Sequence, residues 1–241
     1  MKNIDVCLSP ELLHLYNIKD RIIVVIDILR ATSCMTTAFA HGVTSILPVA
    51  SLEECRKLKT KGFTCAAERD GKKEDGFDLG NSPFSYMSER LKDQRIAMTT
   101  TNGTLAITLS KQAKQVIIGS FLNLSSVVEY LSDQNENIVL LCSGWKGKIN
   151  LEDTIFAGAV VEGLKDKFQL ECDAPLIALT LYQNAKNDMV DFLKDSSHVR
   201  RLKKLNIHED IVFCLTESKY DVIPVLQGDV LVKMEPVSIN R

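Results

Sequence analysis

Apolar residues fall into two alternating patterns along the chain. Short continuous runs rich in Ile and Val alternate, from about residue 22 to residue 168, with stretches whose apolar positions recur at helical spacing. The clearest run is Arg21-Ile22-Ile23-Val24-Val25-Ile26-Asp27-Ile28, and its lack of polar alternation predicts a strand covered on both faces. Ser33 to Ala40 is predicted to follow as a helix, with Gly42 closing it. Val43 to Val49 reads as a second strand. Ser51 then caps a helix whose Leu52, Cys55 and Leu58 share one face, with Glu54 completing a capping box. Gly62 ends that helix, Phe63 to Ala67 is a third strand, and Glu68 to Pro83 reads as a long polar loop. A short helix, the strand Arg95 to Thr99, helices near 103–112 and 123–132 around a strand at 115–118, the strand Ile138 to Cys142 and a helix at 151–164 capped by Asn150 follow. This alternation predicts an α/β fold, a mostly parallel sheet with helices on both faces.

The C-terminal portion reads as mixed. It holds a helix around 174–194, a basic helical turn near 198–205, and a hairpin in which Val222 to Leu226 and Asp229 to Met234 flank Gln227-Gly228. No repeat or low-complexity linker interrupts the chain. Residues 1–241 are therefore expected to form one unit, and if it comprises two interleaved lobes they meet near 145–170.

Composition narrows the function classes. With 241 residues, 45% of them hydrophobic, the chain can bury a full α/β core. The formal net charge is -2 and the Lys and Arg residues are scattered, so no basic face for nucleic acid is expected. The nearest candidate, His198 to Lys204, also suits the wet face of a helix. Seven cysteines, an odd number without a Cys-x-x-Cys pair, read as reduced, buried thiols. The N-terminus lacks the apolar core of a signal peptide, and no apolar run approaches the ~18 residues that cross a bilayer. A cytoplasmic protein with no membrane or nucleic-acid partner is expected, a monomer and a homodimer both being open.

Polar residues of unusual type stand just after several predicted strands: Asp27 and Arg30, Glu68 and Arg69, Thr100 to Thr104, Gly119-Ser120, and Ser143-Gly144. In open α/β sheets ligands bind beyond the carboxyl ends of the strands, so these segments point to one crevice. Asp27, flanked by apolar residues, must be paired or metal-bound to offset its desolvation; an ion pair with Arg30 and a catalytic role are equally open. Haloacid-dehalogenase phosphatases need a second Asp two residues on, where this chain has Leu29. Cysteine phosphatases need Cys-x5-Arg, and the sixth residue after Cys142 is Lys148, which lacks the planar bidentate clamp. In Gly76 to Pro83, Asp78 and Gly80-Asn81-Ser82 suit either a surface turn or an anion and cation site. Thr99-Thr100-Thr101-Asn102-Gly103-Thr104 has the hydroxyl density of a phosphate cradle, although a Thr or Asn cap would explain part of it. Glu152 and Asp153 open a helix, where acids belong for the dipole and could also hold magnesium.

Taken together, Ile26 to Thr32, Gly76 to Pro83, Thr100 to Thr104 and Leu151 to Thr154 resemble the 2-phosphosulfolactate phosphatase family in order and spacing. So do Glu68-Arg69, Gly119 to Asn123 and Asp221 to Pro224. The resemblance covers nearly the whole chain, and Ser33-Cys34 is its one small departure. It implies an α/β enzyme, a phosphoric monoester hydrolase that uses Mg²⁺ to convert a small anionic phosphate ester, phosphosulfolactate, to sulfolactate and phosphate. In methanogens that step belongs to coenzyme M biosynthesis. The residues it implies as catalytic are Asp27, Arg30 and Glu152, and as metal ligands Asp27, Glu68, Asp78 and Asp153. Arg69, Asn81, Thr101, Asn102 and Thr104 are implied as substrate contacts. Ser143 joins these by its place after a strand. His198 and Arg201 join them if the basic segment folds back over the crevice to meet the substrate's other anions. The competing reading is a binding protein for a phosphorylated or sulfonated metabolite. A pure anion binder, however, would avoid gathering carboxylates around its ligand.

Overall fold

Ile22, Ile23, Val24, Val25 and Ile26 are all between 0 and 1% exposed, because helices cover both faces of the strand that carries them. Ile22, Val24 and Ile26 pack on one side against Val127, Ile155 and Phe156, while Ile23 and Val25 pack on the other against Met35, Phe39 and Ile107. The twofold period of the strand thus divides an apolar run between two cores.

The computed structural model describes residues 2–170, 172–205 and 207–235. In chain order the strands are β1 (Asn3–Cys7), β2 (Arg21–Ile26), β3 (Ser45–Pro48), β4 (Thr64–Arg69), β5 (Lys72–Lys73), β6 (Arg95–Thr99), β7 (Gln115–Gly119), β8 (Asn137–Cys142), β9 (Gln169–Leu170), β10 (Pro224–Gln227) and β11 (Val230–Lys233). The α-helices are α1 (Ala31–Ala40), α2 (Leu52–Lys59), α3 (Gly103–Leu109), α4 (Leu124–Ser132), α5 (Leu151–Leu164), α6 (Asp173–Ala185), α7 (Met189–Phe192), α8 (Ser197–Lys203) and α9 (His208–Cys214). Among the described residues, no helix is long and apolar enough to cross a membrane.

The sheet order is β5-β4-β6-β3-β11-β10-β7-β2-β8-β1-β9. The mostly parallel α/β architecture is as expected, with one feature the pattern did not reveal. The C-terminal hairpin β10–β11 sits in the middle, antiparallel to β7 on one side and to β3 on the other. It joins two parallel groups, β4-β6-β3 and β7-β2-β8-β1. Six strand steps separate β2 from β4. At roughly −20 to −25° each, they accumulate a rotation of about 120–150°. Although the two groups run oppositely at the hairpin, Asp27 after β2 and Glu68 near the end of β4 line one crevice.

Other differences have local causes. The expected helix 174–194 is two helices: α6 ends at Ala185, and Asp188 caps α7 by accepting the amide of Asp191. The polar loop Glu68 to Pro83 contains β5, reached from β4 through Asp70 and Gly71 at φ 51° and 86°. That Asp-Gly pair makes a tight two-residue hairpin turn. Strand β1, unread in the sequence, carries a polar residue that a core strand normally lacks; Asp5 is neutralised there by Arg21. Helix α5 lies directly on α6 because Gly158 has no side chain: a Cβ there would fall 1.9 Å from the Ala178 carbonyl oxygen.

Candidate functional site

Asp27 is the residue at which β2 opens into a loop, and the loop is pinned by hydroxyls. Its amide donates to Thr32 Oγ1 at 3.1 Å, and that hydroxyl donates back to the Asp27 carbonyl at 2.9 Å. Ser33 Oγ holds the Ile28 carbonyl at 2.9 Å. Among the described residues the carboxylate itself accepts only the Ala31 amide, at 3.4 Å, and Asp27 is 7% exposed. Gly103 makes room for it, since a Cβ there would stand 2.9 Å from Asp27 Oδ2. Burial raises the Asp27 carboxyl to about 6, with His198 pulling it down and Glu68 and Glu152 pushing it further up.

The ion pair with Arg30 that would have made Asp27 structural does not form. Arg30 is buried and pairs instead with Asp210 on α9, while its Nη2 donates to the Gly71 carbonyl at 2.7 Å. The other Asp210 oxygen accepts from Ser82 at 2.9 Å. One surface of Arg30 still faces a crevice of about 20 Å³ whose walls include Asp27, Glu68, Asn81, Asn102, Trp145 and His198.

Glu68, at the end of β4, accepts the Gly71 amide at 2.5 Å and the Thr101 amide and hydroxyl at 3.3 Å. Thr101 therefore meets the crevice through Glu68. Asn102 lines it directly and accepts the Lys146 amide at 3.3 Å. Asn81 lines it with a buried side-chain oxygen that has no partner among the described residues. The basic segment does fold back as the far wall: α8 brings His198 and Leu202 to the crevice. His198 Nδ1 lies 2.5 Å from Glu152 Oε1, and Glu152 is fully buried at the start of α5. Arg201, one turn on, lays its guanidinium 4.4 Å from the centre of the Trp145 ring.

Several expected residues serve the frame. Asp153 spans two loops, accepting the Ile28 amide at 2.9 Å and the Gly144 amide at 3.1 Å. Burial, with Glu152 and Asp27 nearby, holds its carboxyl well above the usual range. Asp153 is not among the described residues that line the crevice, so its part is to tie the two loops together. Asp78 is not brought to the crevice at all: it accepts from Lys59 at 2.8 Å and from the Cys65 amide at 3.0 Å. Thr104 and Thr100 cap one another's amides at 3.3 and 3.2 Å, so those hydroxyls form a turn more than an open cradle. Arg69 is engaged with the Glu68 carbonyl at 2.6 Å and Thr99 Oγ1 at 3.0 Å. Ser143 is buried behind β8, its hydroxyl without a partner among the described residues. Ser120 forms a capping box with Asn123.

Among the described residues no three His, Cys, Asp or Glu side chains gather closely enough to form a metal cage. Magnesium needs no such cage: it takes one or two carboxylates, keeps waters and shares phosphate oxygens. Asp27, Glu68 and the orphan oxygen of Asn81 fit that pattern. Sequence reasoning missed Asp210 and Trp145. Trp145, the only tryptophan, was a signal available in the sequence; Asp210 stands in a short helix that no periodicity announces.

The model of the 2-phosphosulpholactate phosphatase family matches residues 7–229. A protein of Caldanaerobacter subterraneus subsp. tengcongensis, named probable 2-phosphosulfolactate phosphatase, is 40% identical over 220 residues, which cover 89% of this chain and 91% of the relative. A Thermotoga petrophila protein of the same name is 41% identical over 215 residues, covering 89% and 93%. One from Clostridium botulinum strain Eklund 17B is 34% identical over 237 residues, covering 96% and 99%. With a match over most of its length, and with the strand-end residues Asp27 and Glu68 gathered in one crevice, the chain belongs to the 2-phosphosulpholactate phosphatase family.

Proposed function

We propose that the chain hydrolyses 2-phosphosulfolactate, or a closely related 2-phospho-hydroxy acid, to the hydroxy acid and inorganic phosphate, with Mg²⁺ as its cofactor. As a member of its family it is a phosphoric monoester hydrolase. The observation that carries the proposal is the pairing of Asp27 and Glu68 with Arg30 and His198 around one small crevice. Two carboxylates beside a phosphate repel it unless a cation stands between them. Asp27, Glu68 and Asn81 Oδ1 would hold that cation, and Mg²⁺ when bound neutralises charge on the phosphoryl oxygens.

The chain's own residues supply the rest. Arg30, fixed by Asp210 and the Gly71 carbonyl, presents a planar cation to the phosphoryl group without having to be ordered first. The Asp27 carboxylate, on the crevice wall, takes the proton of the attacking water. Glu152 fixes the His198 ring through Nδ1, leaving Nε2 to give a proton to the departing ester oxygen. The water oxygen thus bonds to phosphorus as the ester P–O bond breaks. Trp145 and Leu202 shield the crevice from bulk water.

Phosphate release measured over a panel of 2-phospho-hydroxy acids, simple sugar phosphates and aryl phosphates tests the substrate class. The expected result is turnover concentrated on 2-phosphosulfolactate and its nearest analogues. Preference for a sugar or aryl phosphate would overturn the assignment.

A further inference from the structure

We propose that the cavity beside the crevice, walled by the β4–β5 hairpin, is a subsite for the substrate's second anionic group, and that Lys72 is the cation that reads it. The inference rests on the phosphatase reading above. The crevice has about 20 Å³, room for about one small group at a time. A three-carbon ester carrying two further anionic groups must therefore extend out of it. Arg30, Gly71 and Asn81 line both the crevice and an adjoining cavity of about 340 Å³.

The two spaces differ in charge. Asp27 and Glu68 face the crevice, whereas among the described residues no carboxylate lines the adjoining cavity, whose wall carries Lys72, Lys73, Ser82 and Ser85. Asp210, bonded to two residues of that cavity's wall, has one oxygen on Arg30 and the other on Ser82. Among the described residues Lys72 pairs with no carboxylate, and Lys73 donates to the Phe77 carbonyl at 3.3 Å. Unopposed cations on a concave wall, next to a phosphate site, favour an anion. At the junction of the two spaces stands Asn81, 8% exposed, whose side-chain oxygen, unpartnered among the described residues, suits the cation proposed above and not the anion itself.

The hairpin makes the two halves one rigid reader. Glu68 pairs with Lys73 and Arg69 with Lys72 across the ladder, so Lys72 is held one position from the partner of the crevice residue Glu68, on the Arg69 face of the hairpin. Gly80 lets the hairpin lie flat on its neighbour, since a Cβ there would fall 2.8 Å from Lys73 Cβ. Arg201 is the competing reader of the distal anion, from the Trp145 wall. The ligand class that fits is a 2-phospho-hydroxy acid with a sulfonate or second carboxylate on the next carbon.

The test compares wild type, Lys72→Ala, Lys72→Arg and Arg201→Ala. For each, kcat/KM is measured on 2-phosphosulfolactate and on 2-phospholactate, which lacks the sulfonate, and calorimetry compares binding of sulfolactate with binding of lactate. Lys72→Ala is expected to lose roughly tenfold or more on the sulfonated ester but less than about threefold on phospholactate, as for a lost charge-assisted contact made by only one of them. Sulfolactate binding should weaken in parallel, and Lys72→Arg should retain most of both. Equal losses on the two esters, or a sulfonate preference removed by Arg201→Ala and untouched by Lys72→Ala, would overturn the subsite. If wild type releases phosphate from neither ester, the phosphatase reading fails and calorimetry alone decides the subsite. Sulfolactate binding that weakens in Lys72→Ala then supports it, and binding that does not weaken overturns it.

Discussion

Asp27→Asn is expected to lower kcat by at least roughly a hundredfold, as removal of a proton-transferring group does, and yet to make the metal-free protein more stable. The sign follows from the direction of the shift. The Asp27 carboxyl is raised from 3.8 to about 6 on folding, because burial penalises its charged form. Its favourable contribution is complete below pH 4 and is lost as pH rises through 6. Above that the charged group opposes folding by about 3 kcal/mol, at about 1.4 kcal/mol per pKa unit. Asparagine cannot ionise and keeps an oxygen for the Ala31 amide. Denaturant unfolding in EDTA should therefore show the variant ahead of wild type at pH 8 and level with it near pH 4. A variant that stays active and unfolds more easily would make Asp27 a structural residue.

Arg30→Ala should be the most destabilising of the site substitutions. Arg30 and Asp210 are 3% and 5% exposed, and removing either leaves the other charge buried and unpaired. Breaking such a pair typically costs about 3–5 kcal/mol. Asp210→Ala should cost a similar amount, and the double variant less than the sum of the two, since it strands no charge. Surviving Arg30→Ala protein should lose kcat/KM equally on 2-phosphosulfolactate and 2-phospholactate, because the phosphoryl group is common to both. Wild-type stability in Arg30→Ala, by denaturant midpoint, would contradict the buried pair.

How much of this was legible in the sequence depended on the range of the forces involved. Strand β2 was legible because burial on both faces writes itself as an unbroken apolar run. Strand β1 was not: it is short, and its Asp5 finds a partner in Arg21 that no local pattern reveals. The crevice residues Asp27, Glu68, Asn81 and Asn102 were legible by their places in strand-end loops and their resemblance to one family, whereas His198 was legible only on the condition that its segment folds back rather than forming a wet helix face. Their partners were not, because Arg30 and Asp210 lie 180 residues apart in sequence. Asp78 shows the opposite error. It stands in the same motif as Asn81, three residues away, but a strand bridge at Leu79 directs the two to different places, and Asp78 meets Lys59.

The pairing of two carboxylates with a phosphate site is the centre of the account, and metal add-back tests it most directly. Metal-stripped protein is assayed for phosphate release from 2-phosphosulfolactate in EDTA, then after excess Mg²⁺ is restored. The account predicts no turnover before addition and full turnover after it, with Asp27→Asn unresponsive at every Mg²⁺ concentration. Full turnover in EDTA would contradict it.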